Sequence, residues 1–547
     1  MIADPGSGAI DAIASRTWDV IVVGTGMGGA TLGHAMARAG KSVLFCEQGA
    51  STLDATGLRG GYAEAPDGHG HASAMVPYIE RLRAAGRAVV PLEDVSGGRP
   101  RRMIPFVGAG TGGSSSLYGA ALERLSPADF RPRRQHPEAP DCTLPEAWPI
   151  SYDELAPYYR QAEELYRVRG SGDPLRTGQS YGYVAPPPPL SASARELADL
   201  LESKSLHPYH LPVACEYVPR CPGCQGYLCA RRCKNDSAMI CLTPAIRDHG
   251  AVLLDGCEVL RLEASGHRVV GVWARHQGAQ VRLAGTTIVV AAGALSTPLL
   301  LLRSRSGDWP HGVANRSGLV GRNLMRHFVD LYAVSTKSSA DPDVNLKELG
   351  LNDFYEGSRK LGTVQSFGAM PPSQVMAETM RRDLRTRNAH LSANIVGIAK
   401  PLIASLLDRM LGGKTILASI AEDLPYGANR VFAGVDRHGH RSGAIQYRIS
   451  DYDRDRISTF RRHMRDVLAP LRYRLIKQAE NNERLAHACG TCRFGDDERA
   501  SVLDRYNRAH GIDNLYVVDA SFFPSSGGTN PALTVAANAL RVAKHLS

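Results

Sequence analysis

The segment WDVIVVGTGMGGATLGHAMARAGKSVLFCEQG, residues 18–49, constrains the fold more than any other stretch of this chain. Asp19-Val20-Ile21-Val22-Val23 is a short β-branched run, as expected of a strand buried on both faces. Gly24, Gly26 and Gly29 follow in G-x-G-x-x-G spacing and open a helix at Met27 and Gly28. The first glycine permits a tight turn, the second lets backbone amides approach a pyrophosphate, and the third lets helix and strand pack closely. The helix N-terminus then points free amides and a positive dipole at phosphate. A second strand, Ser42 to Cys46, ends at Glu47, where a carboxylate can accept from ribose hydroxyls. A dinucleotide site is therefore expected, built from Gly24, Gly26, Met27, Gly28, Gly29 and Glu47. The cradle does not separate FAD from NAD, but Glu47 would repel a 2′-phosphate and disfavours NADP.

Two further stretches repeat the theme. VGAGTGGSSSLYGAAL (107–122) offers Gly112, Gly113, Ser114 and Ser115, small residues over which a cofactor can lie; a flexible linker is the plain alternative. TTIVVAAGALSTPLLLLRS (286–304) is a buried strand, a corner at Ala292-Gly293, and a helix. The latter contains the longest apolar run, but Gly293, Ser296 and Pro298 interrupt it, so it is not expected to span a membrane.

A chain of 547 residues exceeds one simple core, and two packed domains are expected. The net charge of +10 is spread thinly, without long basic runs, so no nucleic-acid partner is expected. The first twenty residues lack a basic-then-apolar leader, which favours a cytoplasmic protein, with membrane or partner association as the alternative.

Near the end stand HACGTCRFG (487–495) and NLYVVDASFFPSSGGTNPALTVAANALRVAKHL (514–546). With the N-terminal cradle, and with weaker matches at GLVGRNLMRH (318–327) and EDLPYGANRV (422–431), these ordered blocks resemble the glucose–methanol–choline (GMC) family of FAD-dependent oxidoreductases. The resemblance implies an α/β fold: a discontinuous Rossmann-like FAD-binding domain (1–130, 211–330 and 486–547) plus an α+β substrate domain with an antiparallel sheet (131–210 and 331–485). It adds Val259, Asp519, Ala520, Asn530 and Pro531 to the cofactor-binding set, beside Ala292 and Gly293. It makes His487 the general base and Asn530 its partner over the substrate oxygen. Leu117 stands where some members carry the histidine that bonds FAD covalently, so non-covalent FAD is expected.

The implied reaction is oxidation of an alcohol CH–OH group, of a sugar, glycoside or polyol, to a carbonyl by hydride transfer to flavin N5. Dioxygen, or a quinone or cytochrome, would accept the electrons, and an accessory subunit or a homo-oligomer is compatible with the chain. A flavin-containing lyase of the same family is the alternative chemistry. So is the catalytic subunit of an iron–sulfur, cytochrome-linked sugar dehydrogenase complex.

CPGCQGYLCARRCKNDSAMIC (221–241) places Cys221, Cys224, Cys229 and Cys233 at spacings that suit zinc or an iron–sulfur cluster, flanked by Cys215 and Cys241. A structural thiol or disulfide loop is the competing reading, because Arg231-Arg232 and Lys234 depart from the sugar-dehydrogenase pattern. Residues 371–415 are less family-like, with a basic first part and an apolar later part. They are expected to pack on the substrate domain, or to face a partner subunit or a membrane surface. His69 and His71 read as solvated loop residues.

Overall fold

The computed structural model describes residues 7–547 except 54–59, 66–77, 98, 220, 222, 339–346, 358, 369, 387–388, 436–440, 482–484 and 486. His69 and His71 thus lie outside the described residues.

Thr17–Val23 forms the expected strand, with Val20 to Val23 all buried. Parallel to it on one side lies Val43–Cys46, which in turn pairs with Val252–Leu254. On the other side lies the long strand Ala279–Val290, in register from Thr17↔Ala284 to Val23↔Val290. The same strand pairs in parallel with Leu515–Val517, and its other end folds into an antiparallel hairpin set with Arg268–His276 and Cys257–Ser265. Segments nearly 500 residues apart thus share one sheet, whose buried apolar parallel stretches at 20–23, 43–46, 288–290 and 515–517 need cover on both faces. Helices Met27–Arg38 and Ala532–Leu546 pack together above it.

A second sheet of six strands is antiparallel throughout. Its order is Arg472–Lys477, Phe328–Ser335, Thr415–Ala421, Gly362–Ser366, Leu349–Leu351, Tyr209–His210. Leu197 and Leu201 of helix Ala192–Ser203 and Ile457, Phe460 and Met464 of helix Asp451–Leu468 close its apolar face. A four-stranded sheet joins Arg430–Val435 and Arg441–Gln446 to Leu92–Asp94 and Arg101–Met103.

The segment 131–210 is divided between the two cores. Helix Tyr152–Leu165 packs on the C-terminal helix, with Tyr159 Oη 2.7 Å from Thr534 Oγ1, and Trp148, Leu155 and Tyr166 join the cofactor-domain core. Its later part, from Leu190, belongs with the six-stranded sheet, and Ala139 and Leu144 pack with Leu424 beside it. The buried face of Tyr152–Leu165 (Leu155, Tyr159, Ala162) decides this, and its amphipathic pattern does not name the surface it covers.

Among the described residues, no single helix is long and apolar enough to cross a membrane.

Candidate active site

The three glycine-rich stretches meet. Gly24 turns at φ +97°, and a Cβ there would stand 2.5 Å from the Ala291 carbonyl oxygen, so only glycine serves. Gly29 closes against Gly24 and Val22, as the close-packing role requires; Gly28 meets the Val518 carbonyl and is a packing residue as well. Gly26, by contrast, has open space over its Cα, and so has Gly293 at φ +86°. Glu47 is buried, and its Oε2 accepts from Thr25 N (3.0 Å) and Thr25 Oγ1 (2.6 Å). Its Oε1 has only a 3.4 Å contact from Gly49 N, which leaves acceptor capacity for ribose hydroxyls. Burial pushes the Glu47 carboxyl up, a cost that donors from a bound ribose would offset.

Gly112 N donates to Thr25 Oγ1 at 3.1 Å and so fuses the second cradle to the first. Ser114 is exposed there, whereas the Ser115 hydroxyl is turned inward, 2.7 Å from Gly112 O and 2.9 Å from Ser237 Oγ. Gly113 stands beside Gly26. Val259 lies on a strand whose first amide, Cys257 N, donates to Glu47 O at 2.8 Å. Asp519 accepts from Gly293 N (2.9 Å), Thr297 Oγ1 (2.5 Å) and Ser521 N (2.8 Å). Its carboxylate is therefore taken up in tying the Ala292-Gly293 corner to Ala520 and the C-terminal segment. The open glycines, the part-free buried carboxylate and the helix N-terminus fit a dinucleotide with its pyrophosphate at Gly26.

His487 lies on a segment laced to Ala520 at this cradle, and Asn530 stands just before helix Ala532–Leu546, which packs on Met27–Arg38. Cys489 and Met325 exchange backbone hydrogen bonds of 2.9 and 3.0 Å, and Gly490 N donates to Ala520 O. Gly490 sits at φ +88°, where a Cβ would meet Asn323 O at 2.5 Å. Cys489 and Cys492 are wholly buried packing residues. The lacing to residues 323–327 delivers a residue that the sequence reading missed, His327. Its Nδ1 is 2.9 Å from His487 Nδ1, and its Nε2 is 3.2 Å from the Ser526 carbonyl oxygen.

These contacts fix both tautomers. A carbonyl only accepts, so His327 Nε2 carries the proton and donates. Burial holds His327 low and neutral, which leaves its Nδ1 as an acceptor. His487 must then donate from Nδ1, and its Nε2 keeps a bare lone pair. Burial, together with the Lys347 charge and the repulsion that a protonated His327 would exert, holds His487 well below the usual imidazole range, so that lone pair is free at neutral pH.

Asn530 is oriented by similar logic. Gln365 Nε2 stands between Glu123 Oε2 (3.2 Å) and Asn530 Oδ1 (2.7 Å). Glu123 also accepts from Asn352 Nδ2 (2.8 Å), Thr529 Oγ1 (2.7 Å) and the Tyr209 hydroxyl. A carboxylate with this many donors is a pure acceptor, so it must face the NH2 side of Gln365. The same NH2 then faces Asn530 Oδ1 and turns the Asn530 Nδ2 donor away from the network. Gln365 and Glu123 had no motif to announce them; Glu123 lies in the run ALERL and Gln365 in an ordinary strand.

Lys347 is a third residue without a sequence signal. Burial brings its ammonium down to about 8, and among the described residues it has no hydrogen-bond or ion-pair partner. It lies 5.8 Å from the Phe367 ring centroid, and its charge acts on His487.

The cysteines behave differently from the expected set of four. Cys215, Cys221 and Cys233 bring their sulfurs within 4.8 Å of one another, so Cys215 joins the group. Cys221 Sγ is 3.8 Å from Cys215 Sγ and 3.7 Å from Cys233 Sγ; Cys229 Sγ is 3.6 Å from Cys233 Sγ, and Cys224 adjoins Cys229. All five are buried and none forms a disulfide. Cys241 lies apart, 3.4 Å from the Tyr166 hydroxyl.

Known proteins share this chain's family motifs and fold. The family descriptions for GMC oxidoreductases match residues 215–329 and 425–539, and that for an FAD binding domain matches 19–81. The 6'''-hydroxyparomomycin C oxidase of Streptomyces lividus is 29% identical, over 98% of this chain and 93% of its own. The fructose dehydrogenase large subunit of Gluconobacter japonicus is 25% identical, over 96% and 97%. In fold, the chain resembles pyridoxine 4-oxidase from Mesorbium loti, with a TM-score of 0.63 at 20% identity, over 97% and 99% of the two chains. The open FAD cradle and the end-to-end family match together place this chain in the GMC oxidoreductase family, as an FAD-dependent enzyme acting on alcohol groups.

Proposed function

We propose that the chain oxidises a secondary or primary carbinol of a sugar-, glycoside- or polyol-like substrate to the carbonyl, with His487 as general base. The locked tautomer of His487 carries this reading: its bare Nε2 is the atom that takes the hydroxyl proton. The Asn530 amide donates to the substrate oxygen as negative charge grows on it, and being an amide it takes no proton itself. FAD, when bound, supplies at N5 the acceptor for the carbinol hydride. The alcohol thus loses a proton to His487 and two electrons with the hydride. The names of the paromomycin and fructose enzymes among the relatives support a carbohydrate-like substrate.

His487→Ala is expected to slow anaerobic flavin reduction by a substrate alcohol by roughly 10²–10⁴-fold while FAD stays bound. Near-normal reduction in that variant would remove His487 from the role. Leu117, in place of a histidine, supports non-covalent FAD.

The cysteine group supports a second, metal-bearing reading. Four thiolates arranged tetrahedrally at ~2.3 Å from zinc stand about 3.8 Å from one another, whereas a disulfide requires ~2.0 Å. The observed sulfur separations of 3.6 to 3.8 Å match a shared ion or an iron–sulfur cluster. Zinc, iron and acid-labile sulfide assays on protein purified without chelator test it, and metal-free protein would return the group to a thiol core. A cluster there would favour a cytochrome or quinone as acceptor and an accessory subunit; its absence would leave dioxygen as the simpler oxidant.

A further inference from the structure

Strands Gly362–Ser366 and Thr415–Ala421 are antiparallel neighbours, a pairing that a turn of about two to five residues can close. The chain instead runs through residues 367–414 and builds three helices, Ser373–Thr386, His390–Ile398 and Lys400–Leu411. The latter two pack on the first and meet at a bend of 74°. Ala393, Val396 and Ala404 face inward and are buried. Facing outward are Leu391, Ile395, Ile398, Leu402 and Leu406, exposed by 77, 57, 85, 73 and 56%. Their spacings put Leu391, Ile395 and Ile398 on one face of helix His390–Ile398, and Leu402 and Leu406 on one face of helix Lys400–Leu411. With Met380, these helices hold half of the exposed large apolar side chains among the described residues. Isolated exposed leucines are ordinary, but an apolar stripe along a helix face marks a contact surface.

The surroundings of the stripe are basic. Residues 373–414 carry seven Lys/Arg against three Asp/Glu. Arg385 and Arg409 are exposed and have no ion-pair partner among the described residues. Helix Ser373–Thr386 packs against strand Arg101–Met103, and Arg382 stacks 3.3 Å over the Tyr78 ring. The adjoining surface adds exposed Arg83, Arg99 and Arg102.

We propose that this excursion is a docking element for an anionic lipid surface, with the stripe lying in the membrane interface and the arginines against headgroup phosphates. Neither helix alone is long enough to cross a membrane, and the 74° bend between them prevents one straight span, so the excursion is placed in the interfacial plane. The stripe is purely aliphatic, without the Trp, Tyr or Arg anchors that centre protein interfaces, and the charge around it complements an anionic surface. The excursion leaves the sheet two residues after Gln365, with Phe367, Met370 and Leu411 all packed on the cluster of Leu331, Ala333, Ile416, Ala418 and Ile420. Docking would therefore bring the lipid surface to the strand that orients Asn530.

Co-sedimentation of the holoenzyme with vesicles tests this, using phosphatidylcholine with and without phosphatidylglycerol at low salt. The enzyme is expected to pellet with the anionic vesicles and to be released as salt rises. Replacing Ile395, Ile398 and Leu402 together by Asn should lower vesicle partitioning at least ~10-fold, with melting temperature and flavin content unchanged because these side chains are exposed. Arg385→Gln with Arg409→Gln should weaken anionic-vesicle binding while leaving the apolar stripe intact. Enzyme that stays in the supernatant, or a triple variant that binds as the parent does, overturns the proposal. So does light scattering that shows a vesicle-independent dimer abolished by the triple variant, since a second copy would then cover the stripe.

Discussion

If His327 holds the tautomer of His487, removing its acceptor nitrogen should impair proton removal without disturbing cofactor binding. In His327→Leu, His487 Nδ1–H loses its 2.9 Å partner and the Ser526 carbonyl loses its 3.2 Å donor. A buried polar group left unsatisfied costs about 1–3 kcal/mol. The first loss falls on the reactive tautomer, because His487 no longer gains by keeping its proton on Nδ1. The rate of flavin reduction should therefore fall about 5- to 150-fold, the range that 1–3 kcal/mol represents. The second loss falls on the fold and should appear as a lowered melting temperature. His327→Gln separates the two effects, since an amide oxygen can accept from His487 Nδ1 and restore the first bond. The assay is anaerobic stopped-flow reduction by a substrate alcohol, with FAD content and melting temperature measured on each variant. Recovery in His327→Gln relative to His327→Leu is the expected signature. Equal rates in parent and Leu variant, or equal losses in both variants with FAD retained, would refute the tautomer reasoning.

Glu123→Gln should let the Gln365 amide reverse and present the wrong face of Asn530 to substrate, lowering kcat about 5- to 150-fold by the same 1–3 kcal/mol range; steady-state kinetics on flavin-replete enzyme check it. The acid limb of kcat/KM for the parent enzyme should lie below the ordinary imidazole value of ~6.5, because burial, the Lys347 charge and repulsion from a protonated His327 favour neutral His487. Lys347→Met removes one of those charges and should shift that limb to higher pH, whereas above about 8, where Lys347 itself is neutral, the profiles should converge. Acid precipitation should release FAD into the supernatant, and colour retained in the pellet would show a covalent link despite Leu117.

The family and the FAD cofactor were legible in the sequence because their motifs are contiguous and their spacing local; the proposed pair His487 and Asn530 sits in such motifs too. The residues that make the pair chemically competent were not. His327 lies 160 positions from His487, and Glu123 lies 406 positions from Thr529, on segments joined only by packing. Cys215 reads in the sequence as a flank of the group, although its sulfur is 3.8 Å from Cys221. The division of 131–210 between two cores was likewise hidden, since an amphipathic helix records that one face is buried and not against what.

By itself, the sequence determined the local structures that a short window can encode. These are the β-branched strand that must be covered, the glycines whose backbone no other residue can follow, and the order of the family motifs. Tertiary structure alone decided which nitrogen of His487 bears the proton, which end of the Asn530 amide the Gln365 network holds, and which helix face remains uncovered at 390–411. These depend on hydrogen-bond partners and packing surfaces from distant segments, and those come together only when the backbone has closed its sheets.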